Sequence, residues 1–163
     1  MKKNLITILV HNRPGVLSHI ASLVTRRGYN VESIAAGPTE DHSVTRITLV
    51  VTGDKATVEQ VVKQFQKLID VISVDILEYE DALTGELALI TLKAGAGRRA
   101  RVVSLAHLLG FRLIDILADQ ITIQVAGSAR DVDTVVAALA PYTIIAMART
   151  GLVALPRHND AAE

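Results

Sequence analysis

The feature that most constrains this chain is that it says the same thing twice. Ile47-Thr48-Leu49-Val50-Val51-Thr52-Gly53 resembles Ile121-Thr122-Ile123-Gln124-Val125-Ala126-Gly127, and the match runs on into the next segment, where Val58, Val61 and Val62 align with Val132, Val135 and Val136. Leu5-Ile6-Thr7 corresponds in the same way to Leu89-Ile90-Thr91, each leading into a glycine-containing loop and then a helix, Arg99 to Leu109 in the second copy. A repeated pattern of this kind means one supersecondary unit used twice.

The first copy gives the unit its order. Leu5 to Val10 is a short β-rich apolar run closed by the turn-forming Asn12-Arg13-Pro14-Gly15, which reads as a buried strand. Val16, Leu17, Ile20, Leu23 and Val24 then recur at helical spacing, with Gly28 as a stop after Arg26 and Arg27. Asn30 to Gly37 and Val44 to Thr52 are strands on either side of the turn cluster Pro38 to Ser43, an antiparallel hairpin. Asp54 caps a second helix striped with Val58, Val61, Val62, Phe65 and Leu68, and Val71 to Leu77 closes the unit as a strand. The expected fold is therefore α+β, with two ferredoxin-like βαββαβ units in tandem. The boundaries read as 1–79, a polar linker over 80–85, a second unit over 86–156 and a mobile polar tail over 157–163.

Composition narrows the function classes. Of 163 residues half are hydrophobic, yet Trp is absent and aromatics are 3%, so both cores must be built from Val, Ile, Leu and Ala. Lys plus Arg equals Asp plus Glu at 17 each, which leaves no net field to hold a polyanion. The absence of exposed stacking aromatics also excludes an RNA-recognition sheet, since Phe65 and Phe111 fall at packing positions. No nucleic-acid partner is expected. Zero Cys removes disulfides and thiolate chemistry and is compatible with a reducing cytoplasm. The six-residue run Leu5 to Val10 is too short for a membrane span or a secretory segment, so no membrane association is expected. The five histidines, His11, His19, His42, His107 and His158, show no metal-ligand spacing. No catalytic constellation emerges, the acidic residues falling mainly on polar faces or turns.

Two motifs stand out. Asn12-Arg13-Pro14-Gly15-Val16-Leu17 joins the first strand to the first helix, where free N–H groups and the helix dipole favour a carboxylate and glycine lets a ligand approach the backbone. Pro14 suits the start of a helix, and Asn12 offers both an acceptor for an ammonium and a donor for a carboxylate. Taken alone, the same residues are more simply read as a turn. Arg27-Gly28-Tyr29-Asn30-Val31-Glu32-Ser33 carries the chain from helix to second strand and is by itself explained by a helix stop.

Together, at this spacing and with Gly37-Pro38-Thr39 at the hairpin, these motifs resemble the small regulatory subunit of acetolactate synthase, also called acetohydroxyacid synthase. The resemblance covers nearly the whole chain. It implies that the first unit is an ACT domain, that two such domains pair as a homodimer, and that valine binds between them as feedback effector of branched-chain amino-acid synthesis. Carried over by residue, Asn12, Gly15, Val16 and Leu17 line the loop side of that site, and Asn30, Val31 and Ile34 come from the partner's second strand. It also implies a non-enzymatic chain whose partner is a large catalytic subunit, with thiamine diphosphate, FAD and Mg²⁺ all in that subunit and none here. An apolar wall of Val16, Leu17, Val31 and Ile34 favours valine over alanine at roughly 0.8 kcal/mol per CH₂. One methylene separates leucine or isoleucine from valine by only about 1–3 kcal/mol, so that preference stays open.

The second half departs from the family's pattern at Gly95-Ala96-Gly97-Arg98-Arg99-Ala100-Arg101, which puts arginines at a helix start, against the dipole. A solvated basic patch is the simpler account, and a contact to the catalytic subunit the alternative. Two other functions share the fold: a stand-alone ACT-repeat sensor acting on another partner, and an acylphosphatase-like hydrolase. The latter suffers from Pro14, which removes an N–H donor from the anion cradle.

Overall fold

The computed structural model describes residues 3–157, so of the expected tail only Arg157 lies among the described residues. In the first unit β1 (Lys3–His11), α1 (Val16–Arg27), β2 (Asn30–Pro38), β3 (Val44–Thr52), α2 (Lys55–Phe65) and β4 (Val71–Leu77) follow one another in the expected order. The sheet order is β2-β3-β1-β4 and every pairing is antiparallel. The second unit repeats it with β5 (Ala82–Lys93), α3 (Ala96–Leu109), β6 (Arg112–Ile116), β7 (Gln120–Gly127), α4 (Ala129–Ala138) and β8 (Thr143–Arg149), in the order β6-β7-β5-β8. This is the α+β, doubled ferredoxin-like architecture.

The repeat extends to packing. Val58, Val61 and Phe65 are buried in the first core with Val62 against it; Val132 and Val135 are buried in the second with Val136 against it. Both phenylalanines are core residues. Thr7 pairs with Thr48 and Thr91 with Thr122, the latter two sharing a hydroxyl hydrogen bond of 3.1 Å.

The two sheets differ in how many faces they bury. Along β5 the helix-facing Ala88, Ile90 and Leu92 are buried while Leu89 between them is exposed, the alternation of a sheet with one covered face. Along β1, Leu5, Ile6, Thr7 and Ile8 are all buried, as are Ile47 through Val51 on β3. A short strand that the repeat does not foreshadow, β9 (Val153–Pro156), accounts for this. It pairs with β5, and Arg157 N–H donates to the Asp81 carbonyl at 2.7 Å, which puts the pairing at the start of β5. It also lies against β3 without pairing to it. Since β3 is an interior strand and the helices hold one face, β9 lies over the other. Ala82, Leu152 and Ala154 are buried there.

The chain accordingly divides between Thr84 and Gly85, and residues 152–157 group with the first unit, not the second. The stretch expected as a linker, 80–85, holds the end of a 3-10 turn (Tyr79–Asp81) and the first residues of β5. Helix α3 begins three residues before the expected Arg99, because the small residues after Gly95 accept helical geometry.

Candidate functional site

The loop between β1 and α1 is held in place from both sides. Asn12 N–H donates to the Ser43 carbonyl at 2.7 Å, its side-chain Nδ2 donates to the His42 carbonyl at 3.0 Å, and His11 N–H donates to the Asp70 carbonyl at 2.9 Å. Arg13 Nη1 stands 3.8 Å from Asp70 Oδ1. Gly15 then takes φ +89°, left-handed backbone that an L side chain would strain, and an added Cβ would meet nothing within 4 Å. The space in front of Gly15 is open.

Gly15 occupies the N-cap of α1 without a side chain to cap it, and the first bond of the full helical type runs from His19 N–H to Gly15 C=O at 3.0 Å. The N–H groups of Leu17 and Ser18 therefore face outward with the positive end of the helix dipole, as a carboxylate requires. Asn12 offers less than its sequence suggests. One of its two amide N–H donors is spent on His42, which leaves the other and the side-chain oxygen, an acceptor for an ammonium.

The apolar positions separate into two groups. Val16 is 4% exposed and belongs to the core, and Val31 packs against that core, so neither presents a free side chain. Leu17 and Ile34 are 52% and 47% exposed. Asn30 is exposed at the other end of β2: it pairs with Thr52, whereas Pro38 pairs with Thr45 and His11 with Val44. At about 3.4 Å per residue, Asn30 is about 27 Å along the strand direction from the level of the loop. A single chain does not bring Asn30 to Asn12 and Gly15.

The other sequence features resolve into structure. Arg99 Nη2 donates to the Leu117 and Ala118 carbonyls at 2.5 and 2.6 Å, so this arginine fastens the β6–β7 turn to α3; Arg98 and Arg101 are exposed. Glu86 is the exception among the acids, its side chain 5% exposed inside β5. Arg149 grips it with two bonds, Nε to Oε1 at 2.6 Å and Nη2 to Oε2 at 2.9 Å, and reaches Asp133 with Nη1 at 2.9 Å. The Glu86 hydrogen bonds are the main cause raising the Arg149 pKa above its ordinary value. The signal was present: Glu86 continues the inward parity of Ala88, Ile90 and Leu92, and a charge at such a position demands a partner.

An open cavity of about 760 Å³ lies elsewhere, between the outer side of α1 and the segment after α2, lined by His19, Ala21, Ser22, Thr25, Arg26 and Leu68. Among the described residues no group of three His, Asp or Glu side chains is placed to hold a metal ion, and no helix is long and apolar enough to cross a membrane.

Comparison with known proteins addresses both units. Residues 6–73 match the family described as the AHAS small subunit-like ACT domain, and residues 85–158 match that described as the small subunit of acetolactate synthase. The acetolactate synthase small subunit of Mycobacterium leprae is 38% identical over 152 residues, 93% of this chain and 90% of that protein. The probable acetolactate synthase small subunit of Archaeoglobus fulgidus is 40% identical over 157 residues, 96% and 98% of the two chains. The crystal structure of the acetolactate synthase small subunit from Thermotoga maritima superposes with a TM-score of 0.91 at 32% identity, covering 98% of this chain and 99% of that one.

Proposed function

The chain belongs to the acetolactate synthase small-subunit family, and on that premise we propose that it is a cytoplasmic, non-catalytic regulatory subunit that activates a large catalytic subunit and confers feedback inhibition by valine. In this reading the thiamine diphosphate, FAD and Mg²⁺ chemistry belongs to the large subunit. This chain contributes a sensor.

One observation carries the sensor: β2 is an edge strand, pairing among the described residues with β3 alone, and the two halves of the site lie at its opposite ends. An edge of this kind is a template for pairing with another strand. If β2 of one subunit pairs antiparallel with β2 of a second, the Asn30 end of each strand comes to the Pro38 end of the other, and so to the other's Asn12–Gly15 loop. With the two strands in full register, Ile34, the middle residue of β2, lies beside the two-fold axis and the two Ile34 side chains meet. A ligand there finds the outward N–H groups of α1 for its carboxylate, the Asn12 oxygen for its ammonium, and Leu17 with the partner's Ile34 for a branched apolar side chain. Val16 and Val31 hold the walls in place from within the core.

Regulation then follows as a linkage. The small subunit favours the active arrangement of its partner, and valine, binding an inactive arrangement better, shifts the population back. The test is a calorimetric titration of valine into the purified chain, with leucine, isoleucine and alanine alongside, paired with an assay of the catalytic subunit. Saturable valine binding that Gly15→Asp abolishes, with activation kept, is the expected result; the variant puts bulk and negative charge where the carboxylate binds. Valine inhibition surviving in that variant removes the site from this loop. Binding without activation leaves an amino-acid sensor that acts on some other partner.

A further inference from the structure

The charge that cancels over the whole chain is not spread evenly over it. Basic and acidic residues balance at 17 each, yet α1 contains no acidic residue and ends on Arg26 and Arg27. Helix α2 carries Lys55 and Lys63 against Glu59, and Lys67 follows it. All five cations are exposed, and among the described residues none has a carboxylate at ion-pair distance. Arg27 instead donates to the neutral Gln64 side chain at 3.3 Å, which ties α1 to α2 without cancelling charge. On the two helices the acids are Glu59 and the α2 cap Asp54, fewer than the five cations; the unit's other acids lie on loops and strands, among them Asp75 on β4 and Glu78, Glu80 and Asp81 after it. Within the basic helix layer lies the 760 Å³ cavity, with His19, Ser22, Thr25 and Arg26 as its polar lining and Leu68 and Ala21 as its apolar one.

We propose that this helix face docks the catalytic subunit through an acidic segment, whose carboxylates lie along Arg26 and Lys63 and one of whose apolar side chains enters the cavity against Leu68. The proposal rests on the regulatory-subunit reading and adds to it the surface used. Charge complementarity is the argument for the occupant: a layer with an excess of unpaired cations selects an acidic partner and speeds its capture, and an open cavity of this size has room for an apolar anchor and its neighbours on the docked segment. The surface is free in the β2-paired dimer. Arg26 is nine residues from Leu17, half a revolution at 100° per residue, so it stands on the flank of α1 opposite the one that faces the dimer axis.

The experiment measures association of the full-length chain with its purified cognate catalytic subunit over a range of salt. Arg26→Glu and Lys63→Glu each weaken association tenfold or more at low salt, and the salt dependence becomes shallower, with valine binding unchanged. Arg98→Glu, on the exposed start of α3, is the control for net charge and for the rival surface, and changes affinity less than twofold. Wild-type affinity in Arg26→Glu and Lys63→Glu, or an equal loss in Arg98→Glu, overturns the proposal. A wild-type chain with no association at all overturns the regulatory reading itself, which keeps the two failures distinct. Independently of charge reversal, a photo-reactive residue in place of Ser22 crosslinks to an acidic segment of the catalytic subunit; a crosslink to a second small subunit, or to a non-acidic segment, counts against it.

Discussion

At the scale of single residues, side chains that look alike in the sequence differ in what their removal costs. Arg99 satisfies two turn carbonyls that otherwise have no protein donor, so Arg99→Ala costs about 1–2 kcal/mol. Arg101, exposed two positions on, changes stability by less than about 0.5 kcal/mol on the same substitution. Denaturant midpoints for the two variants separate the roles. The same contrast holds between ion pairs. Arg149→Ala strands a Glu86 that is 5% exposed, at a cost of about 2–3 kcal/mol once the partial exposure of the arginine is allowed for. Arg13→Ala gives up a 3.8 Å contact from a side chain that is 69% exposed, and changes stability by less than about 1 kcal/mol. If urea unfolding finds these two equal, the Glu86 site is not the buried pair described. Glu86 was legible in the alternation of β5, but its partner was not, since 63 residues separate them and only the pairing of β5 with β8 brings Arg149 alongside.

At the scale of elements, both units begin their second helix by one device. Asp54 accepts from Thr57 N–H at 2.8 Å in the first; in the second, Ser128 and Asp131 form a reciprocal capping box. The glycine before each cap sits tight against the first turn of its helix. A Cβ on Gly53 would come 3.0 Å from the Thr57 methyl carbon, and one on Gly127 would come 2.9 Å from Asp131 Oδ2 and 3.0 Å from its Cβ. Gly127→Ala therefore disturbs the box and lowers stability by about 1–2 kcal/mol, readable as a lower thermal midpoint. The caps also set the acid response. Hydrogen bonds from Thr57 and Ser128 hold the Asp54 and Asp131 carboxyls below their usual pKa, and Asp41 is held down likewise by Ser43 in the hairpin turn. A depressed folded-state pKa contributes stability above the unfolded value, lost as pH falls from about 3.9 through the lower folded value. Thermal midpoints of the Asp54→Asn, Asp131→Asn double variant fall less over that acid range than those of the parent; identical acid limbs would remove the caps as the cause.

At the scale of the whole molecule, the proposed effector site draws on a second copy, because one chain holds its two halves about 27 Å apart. Ile34→Arg puts a charge on the proposed axis beside its own symmetry mate. The expected outcome is a shift from dimer to monomer in light scattering at micromolar concentration, together with loss of valine binding. A variant that stays dimeric and binds valine places the pairing on another edge. The fully exposed β8 is the next candidate.

By itself the sequence determined the elements and their doubling. Period and turn chemistry are local, so Gly15, Gly28 and Asp54 announce the limits of helices, and matched valines announce matched cores. It also marked Asn12 and Gly15 as a place where a helix start meets open space. What the tertiary structure alone decided is which groups remain free. Val16 turns into the core while Leu17 stays out, one Asn12 amide N–H goes to His42, Arg99 goes to a turn, and β9 pairs with β5 while lying over the first unit's sheet. Each of these is settled by a contact between residues remote in sequence, or by which side of an element meets the sheet, and no local pattern encodes the partner.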